Sequence, residues 1–110
     1  MQTGLADVNM VTYNDMVQTP LHIAVNDGNA MLTRILLQEF RADADCVDYR
    51  NNTPLHSAVI NSNLKIVKIL LSKGNPRIEI ENFEGQTVLK LPMKQDIKNV
   101  IIIHACIILL

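Results

Sequence analysis

The side chains of this 110-residue sequence that could carry out chemistry are three histidines and two cysteines. Histidine transfers protons near neutral pH and binds metals, and a cysteine thiolate is a nucleophile or a metal ligand. A zinc site needs four such ligands, usually arranged in close pairs. None of those spacings occurs among the candidate ligands Cys46, His56, His104 and Cys106. We therefore predict neither a metal site nor a bound cofactor.

Sequence motifs of catalysis are also missing. The chain contains no Gly-rich phosphate loop, no Gly-x-Ser-x-Gly elbow and no paired carboxylates on one helical face. We predict that the protein is not an enzyme. His22 and His56, which resemble candidate bases, instead occupy the same place in a repeated segment.

The repeated segment recurs along the chain at a constant interval. Thr-Pro-Leu-His-Ile-Ala-Val at residues 19–25 returns as Thr-Pro-Leu-His-Ser-Ala-Val at residues 53–59, and a weaker copy begins at Thr87, the same interval further on. A polar turn precedes each copy. Repetition at an interval of this length is typical of solenoids, in which each unit covers the apolar face of its neighbour.

Each repeat is predicted to hold two short helices. Threonine is a favourable N-cap and proline is favourable at the first helical position, while Asn and Gly residues near 27–29 and 61–63 predict turns. Apolar residues at helical spacing then predict a second helix, with Met31, Leu32, Ile35 and Leu36 on its apolar face in the first copy. Gly74 is predicted to be the left-handed residue that ends the second copy. The fold class is therefore an all-α solenoid of stacked helical hairpins joined by extended turns.

Composition restricts the cellular location and the classes of partner. The net charge of −1 argues against nucleic acid as a partner, because phosphate neutralisation dominates that affinity. Residues 1–33 contain no Lys or Arg, which a secretory signal would need, and two isolated cysteines suit a reducing compartment. We expect a cytoplasmic protein that could also enter the nucleus.

The repeated motif resembles the ankyrin repeat, in which Thr-Pro-Leu-His-x-Ala is followed by a turn and a Leu-Leu-x-x-Gly close. Residues 4–9, Gly-Leu-Ala-Asp-Val-Asn, resemble the tail of such a unit. The predicted division of the single domain is residues 1–13 as a partial repeat, 14–47 and 48–81 as full repeats, and 82–110 as a degenerate repeat that Pro92 interrupts. The resemblance implies that each histidine bridges its threonine hydroxyl and neighbouring backbone, tying one repeat to the next.

Within that family the chain resembles the inhibitors of NF-κB in three places, residues 19–25 with the long join around Phe40, residues 48–56, and residues 75–77 leading into 81–84. This resemblance implies binding to a Rel-type transcription factor, whose nuclear-localisation and DNA-contacting surfaces would be masked, with suppression of immune signalling. The cellular inhibitors carry a phosphorylated serine segment before the repeats, whereas the serines here all lie between residues 57 and 72. We expect resistance to signal-induced degradation. The alternative is a generic ankyrin scaffold, or a slice of a longer one, with an unrelated partner.

The turn tips and exposed helix ends are the predicted partner-binding positions. Tyr49 and Phe83 are one repeat apart, and Tyr and Arg are residue types that interface hot spots favour. The rings could instead pack onto the neighbouring turn. The full predicted set is Asp15, Met16, Gln18, Asn26, Tyr49, Arg50, Asn52, Ile60, Phe83, Glu84 and Gln86.

Residues 100–110 are apolar at every position except His104. The segment is too short to span a membrane, which takes about 20 residues, and we predict no membrane association. In register it is the second helix of the last repeat, where a terminal repeat normally has a polar outer face. Either further repeats follow, or this surface contacts a partner or a second copy of the chain.

Overall fold

The computed structural model describes Asn9 and residues 18–109, and its regular structure is helical. The helices are α1 (Pro20–Asn26), α2 (Ala30–Gln38), α3 (Pro54–Ile60), α4 (Leu64–Ile69) and α5 (Gln95–Leu109). A π-helical turn, Leu70–Gly74, extends α4, and a 3-10 turn, Val88–Lys90, stands where the first helix of the third repeat would be. The predicted all-α solenoid of helical pairs is confirmed.

The predicted threonine caps begin the first helix of each full repeat. The hydroxyls of Thr19 and Thr53 accept hydrogen bonds from the backbone N–H groups three residues later, at 3.3 and 3.2 Å, and a proline follows each threonine. Asn29 and Asn63 cap α2 and α4 in the same way, at 3.0 and 3.1 Å. Each cap satisfies a backbone donor that has no partner within its helix, so helices of six to nine residues have defined starts.

One continuous apolar core runs through the stack. Helix α1 contacts α2 and α3, α2 contacts α4, and α4 contacts α5. Leu21 and Leu55, at the same register position, are almost fully buried, as are Ile66 and Ile101. Each repeat therefore covers apolar surface of the repeat before it, as a solenoid requires.

The apolar face predicted for α2 is wrong in part. The helix buries Leu36 and Leu37 but leaves Met31, Leu32 and Ile35 exposed. In the second repeat the equivalent of Leu32 is Ile66, which is fully buried because α4 has α2 on one side and α5 on the other. Among the described residues, α2 has a neighbouring second helix only on the α4 side.

Backbone positions with positive φ also recur at the interval of the repeat. Three pairs of register-equivalent residues adopt this left-handed conformation: Gly28 and Ser62, Arg41 and Asn75, and Asn51 and Gly85, with φ between 46° and 74°. Glycine and asparagine tolerate this region more readily than other residues do. Arg41 and Ser62 therefore adopt it at a local cost.

The prediction that Gly74 is the left-handed residue at the end of the second repeat's helix is wrong. Asn75 has that conformation, with φ 46°. Gly74 is required for a different reason, since a Cβ added there would lie 2.9 Å from Cβ of Ala44 and 3.2 Å from Cδ2 of Leu37. The glycine thus permits the close approach of the second repeat to the first.

The third repeat departs from the pattern where Pro92 predicted an interruption. Its 3-10 turn ends at Lys90, and the next residue, Leu91, is extended, with φ −76° and ψ 145°. A residue that precedes proline is disfavoured in the helical region, because the proline ring clashes with its backbone. The chain then starts again as α5, the longest helix among the described residues, whose side chains Ile97 and Ile101 are buried.

Ser62→Gly is expected to stabilise the protein by about 0.5–1 kcal/mol, because glycine removes the cost of a side chain at positive φ. The first repeat already has Gly28 at this position. Urea denaturation would measure the gain. The reverse change, Gly28→Ala, is the matched control and should destabilise the protein by a similar amount. A loss of stability in Ser62→Gly would contradict the assigned backbone geometry.

Candidate protein-binding surface

The two turn tips that the structure describes are built alike. The Asp48 side chain accepts hydrogen bonds from the backbone N–H groups of Arg50 and Asn52, at 2.9 and 3.0 Å. One repeat later, the Asn82 side chain accepts from Glu84 and Gln86, at 3.0 and 2.9 Å. An Asx side chain that holds the backbone two residues on is a strong turn former. The turns therefore have fixed shapes.

Hydrogen bonds also join one tip to the other. The Phe83 N–H donates to the Arg50 carbonyl at 3.0 Å, and the Asn51 side chain donates to the Glu81 carbonyl at 2.7 Å. Asn82 Nδ2 donates to the side chain of Asn52 at 2.9 Å. The two tips thus form one rigid ridge rather than two independent loops.

Side chains suited to a protein interface project from this ridge. Phe83 is 76% exposed and Tyr49 is 39% exposed, and the Arg50 guanidinium lies 5.4 Å from the centroid of the Tyr49 ring. Glu84, in register with Arg50, is also exposed. A cation over an aromatic face is attracted to the ring electrons, which limits the motion of both side chains. The Phe83 side chain is thus the more exposed of the two rings, whereas the Tyr49 ring packs against the Arg50 guanidinium.

The other predicted binding residues fall into three groups. Asn26 and Ile60, near the ends of α1 and α3, are exposed and Gln86 is half-buried. The expectation that Gln18 and Asn52 are exposed is wrong, because both are buried. The Asn52 side chain accepts a hydrogen bond from Asn82 of the next turn. Asp15 and Met16 lie outside the described residues. Binding by the exposed positions stays a prediction.

The positions that sequence reasoning missed are Asp48 and Asn82. They are one repeat apart. Each lies four residues before the residue whose backbone N–H its side chain accepts, Asn52 or Gln86. That recurrence was the available signal, because an Asx residue at a fixed offset before a helix cap indicates a turn held by its side chain. Their side chains shape the ridge by holding its backbone.

The repeated histidines lie behind the ridge and connect the repeats. His22 Nδ1 is 3.1 Å from the Thr19 hydroxyl, and its Nε2 is 3.0 Å from the Asn52 carbonyl in the next repeat. His56 repeats the arrangement, with distances of 2.8 Å to Thr53 and 2.9 Å to the Gln86 carbonyl. The bridging role implied by the family resemblance is confirmed for both.

These contacts define the protonation state of each ring. A carbonyl only accepts, so Nε2 carries the hydrogen and donates, and Nδ1 is the acceptor, which faces the backbone N–H of Thr19 or Thr53. Burial lowers the pKa of both His22 and His56, although the carbonyl partner and Asp48 oppose the change. Both nitrogens of each ring are thus engaged in hydrogen bonds within the fold.

Acidification is expected to destabilise the fold. As pH falls through about 6.5, histidines of the unfolded chain take up protons, whereas His22 and His56 in the folded chain stay neutral because their pKa values are lowered. The free energy of unfolding should therefore decrease below about pH 6.5, by at most about 1.4 kcal/mol per pH unit for each histidine. Urea titrations between pH 7.5 and about 5 would measure it. His56→Ala should show a smaller slope; an unchanged slope would contradict this assignment.

Cys46 lies beside this bridge, and its surroundings favour the neutral thiol over the nucleophilic thiolate. Its Sγ is 3.2 Å from the Thr19 hydroxyl and 3.6 Å from His22 Nδ1. Burial raises the pKa of the thiol to about 11, against a smaller opposite effect of the Thr19 hydrogen bond. The group is a neutral thiol at physiological pH, and the contact is not a Cys–His catalytic pair.

Comparisons with known proteins agree with this architecture. The family profile described as ankyrin repeats (3 copies) matches residues 4–82. Among solved structures, 347 chains match, so a match of this kind defines the fold rather than a partner. One is the crystal structure of the ankyrin repeat domain of Bcl-3, described as a unique member of the IkappaB protein family, with a TM-score of 0.82 and 23% identity. It covers 88% of this chain, which spans 41% of that domain.

No curated protein sequence matches the chain significantly. In the part of the chain that the structure describes, none of the helices has the length and apolar character needed to cross a membrane.

Proposed function

Because the chain belongs to the ankyrin-repeat family, we propose that its turn ridge is the binding surface of a non-catalytic protein-protein interaction module. The observation that carries this proposal is the exposure of Phe83, Tyr49 and Arg50 on a ridge whose backbone is held by hydrogen bonds between repeats. A rigid surface loses little entropy on binding. Large apolar side chains that are exposed to water contribute the most binding free energy when a partner covers them.

The partner that we propose is a Rel-family transcription factor, inhibited by occlusion of its nuclear-localisation and DNA-contacting surfaces, with suppression of immune gene expression. Sequence features shared with NF-κB inhibitors support this choice, and the Bcl-3 domain, described as a member of the IkappaB protein family, has the same fold. Charge supports it too. The inter-helix segments 39–53 and 75–87 carry seven acidic and three basic side chains, which complements the basic surface of a DNA-binding protein.

We also propose that binding does not depend on upstream kinases and takes place in the cytoplasm, with the nucleus as a second site. Ser57, Ser62 and Ser72 all lie within the second repeat, and Ser57 is buried, which is unfavourable for phosphorylation. The thiols of Cys46 and Cys106 are both free, and Cys106 is exposed, which suits a reducing compartment.

The test is affinity purification of the tagged chain from resting and from immune-stimulated cells, followed by direct binding to a purified Rel-homology domain. We expect recovery of a Rel protein in both conditions. Recovery only from resting cells would reject kinase independence, and absence of any Rel protein would reject the partner. Binding of an unrelated protein through the same ridge would favour the generic ankyrin scaffold.

Self-association through α5 is a further expected property. Ile102 is 40% exposed and Cys106 is exposed on the same helix, and apolar side chains in water favour association. Ile102→Lys should weaken the dimer about tenfold or more, since a buried isoleucine contributes about 1.5–3 kcal/mol. Sedimentation velocity under reducing conditions at tens of micromolar would measure this. A monomeric wild-type chain would contradict the prediction.

A further inference from the structure

The contact between the last two repeats shows which side of a second helix faces which neighbour. Lys68 and Leu71 of the second repeat line the space between α4 and α5 from one side, and Val100 and Ile103 of α5 line it from the other. The first repeat agrees, because Leu37, the register equivalent of Leu71, lies close to the glycine that ends the second repeat's helix. The register positions of Lys68 and Leu71 are therefore the forward face of a second helix, and those of Val100 and Ile103 are its rear face.

The rear face of α2 is apolar, and no second helix covers it among the described residues. Leu32 and Ile35 occupy this face and are 40% and 38% exposed. Their register equivalents in α4, Ile66 and Ile69, are 0% and 6% exposed, and α2 lies against that helix. Because register and apolar character match, the difference in burial comes from the neighbouring helix. The first repeat thus presents one half of a contact that the fold completes one repeat later.

The forward face of α5, at the other end of the stack, is apolar as well. Ile102 and Ala105 occupy it, and they are exposed and half-buried, respectively. The earlier repeats have a cation at the position of Ile102, namely Arg34 and Lys68. A terminal repeat normally has polar side chains on its outer face, so isoleucine in place of a cation is the reverse of what solubility favours. Exposed apolar surface of this kind marks a site of association.

We propose that copies of this chain stack head to tail, with the forward face of α5 in one copy packed on the rear face of α2 in the next. Ile102 of the first copy then contacts Leu32 and Ile35 of the second. The contact continues a series that the fold already contains, since α2 contacts α4 and α4 contacts α5. This inference rests on the self-association proposed above and identifies the second surface that takes part in it.

A symmetric pairing of two α5 helices is the other arrangement available to two copies. It would cover Ile102 in both copies but leave Leu32 and Ile35 exposed in both. Head-to-tail stacking removes apolar side chains from water at both ends of the molecule, and the favourable free energy increases with the apolar area removed. It also leaves one free face at each end of the assembly, so growth does not stop at two copies, whereas a symmetric contact closes at a dimer.

The test mixes two variants, each with one of the two faces blocked. Ile102→Lys blocks the forward face of α5, and Leu32→Lys blocks the rear face of α2. In sedimentation velocity under reducing conditions, each variant alone should associate about tenfold or more weakly than the wild type. An equimolar mixture should form dimers, because one variant retains the rear face and the other the forward face. The wild type should form species larger than a dimer as its concentration rises.

The matched control is Ile107→Lys. Ile107 is an exposed isoleucine on the side of α5 that faces α4, and its register equivalent in the second repeat is Lys73. This variant should associate as the wild type does. Both blocked positions are exposed in the single chain, so the variants should fold, which circular dichroism would verify.

The possible results separate the two arrangements. Wild-type association of Leu32→Lys, with Ile102→Lys monomeric both alone and in the mixture, would overturn head-to-tail stacking in favour of a symmetric α5 contact. A mixture of folded variants that forms no dimer would also overturn it, and a monomeric wild type would reject self-association altogether. Binding of a Rel-homology domain is measured independently of these results, because neither face includes a residue of the turn ridge.

Discussion

Replacement of Tyr49, Arg50 and Phe83 by alanine together is expected to abolish binding to the proposed Rel-family partner. Aromatic and arginine anchors at the centre of an interface typically cost about 2 kcal/mol or more each on truncation, which is close to a thirtyfold loss of affinity. The fold should persist, because the bond from Phe83 to Arg50 joins backbone atoms that alanine retains. Isothermal titration with a Rel-homology domain would measure the loss, and circular dichroism would verify the helices.

A matched triple variant separates this effect from a general loss of exposed apolar and cationic groups. Met31→Ala, Arg34→Ala and Phe40→Ala remove an apolar, a cationic and an aromatic side chain, all exposed, from the first repeat outside the ridge. This control should bind as the wild type does. Equal losses in the two triple variants, or normal binding of the ridge variant, would show that the ridge is not the interface.

His56→Ala is expected to cost about 1–3 kcal/mol of stability, the largest effect that we expect from a single substitution. The change removes the donor to the Gln86 carbonyl and the acceptor of the Thr53 hydroxyl, and it leaves space in a buried site. His22→Ala should behave similarly, since its ring makes the equivalent bonds to Thr19 and Asn52. Thermal melts and urea titrations would measure both.

Lys90→Ala is the matched control, because Lys90 occupies the same register position in the third repeat but is exposed. Its effect should stay within about 0.5 kcal/mol, as for surface substitutions in general. If the histidine variants melted at the same temperature as the control, the bridges would contribute nothing measurable to the stability of the fold.

The local rules of helix formation made much of the fold predictable from sequence. Thr19, Thr53 and Pro92 act through their own backbone neighbourhood, so their caps and the interruption follow from residue type alone. The same holds for the constant interval between repeats, which places the histidine bridges in register.

Burial was less predictable because it depends on which element lies next to a side chain. Leu32 and Ile66 have the same register and similar chemistry, yet one is exposed and the other buried. Asn52 was expected at a free tip and is instead enclosed by the next turn through Asn82. Spacing within one repeat carries no information about neighbours, which is why the candidate surface could be predicted only in part.

The histidine bridges end at the third repeat, where Lys90 replaces the bridging ring. Helices α3 and α4 belong to the second repeat. His22 joins this repeat to the first, and His56 joins it to the third, whereas α5 contacts α4 through side-chain packing. Cooperative units that share fewer bonds open at lower free energy. Amide hydrogens of α5 should therefore exchange with solvent deuterium sooner than those of α3, and a molecule pulled from its carboxyl end should lose α5 in a first, low-force step.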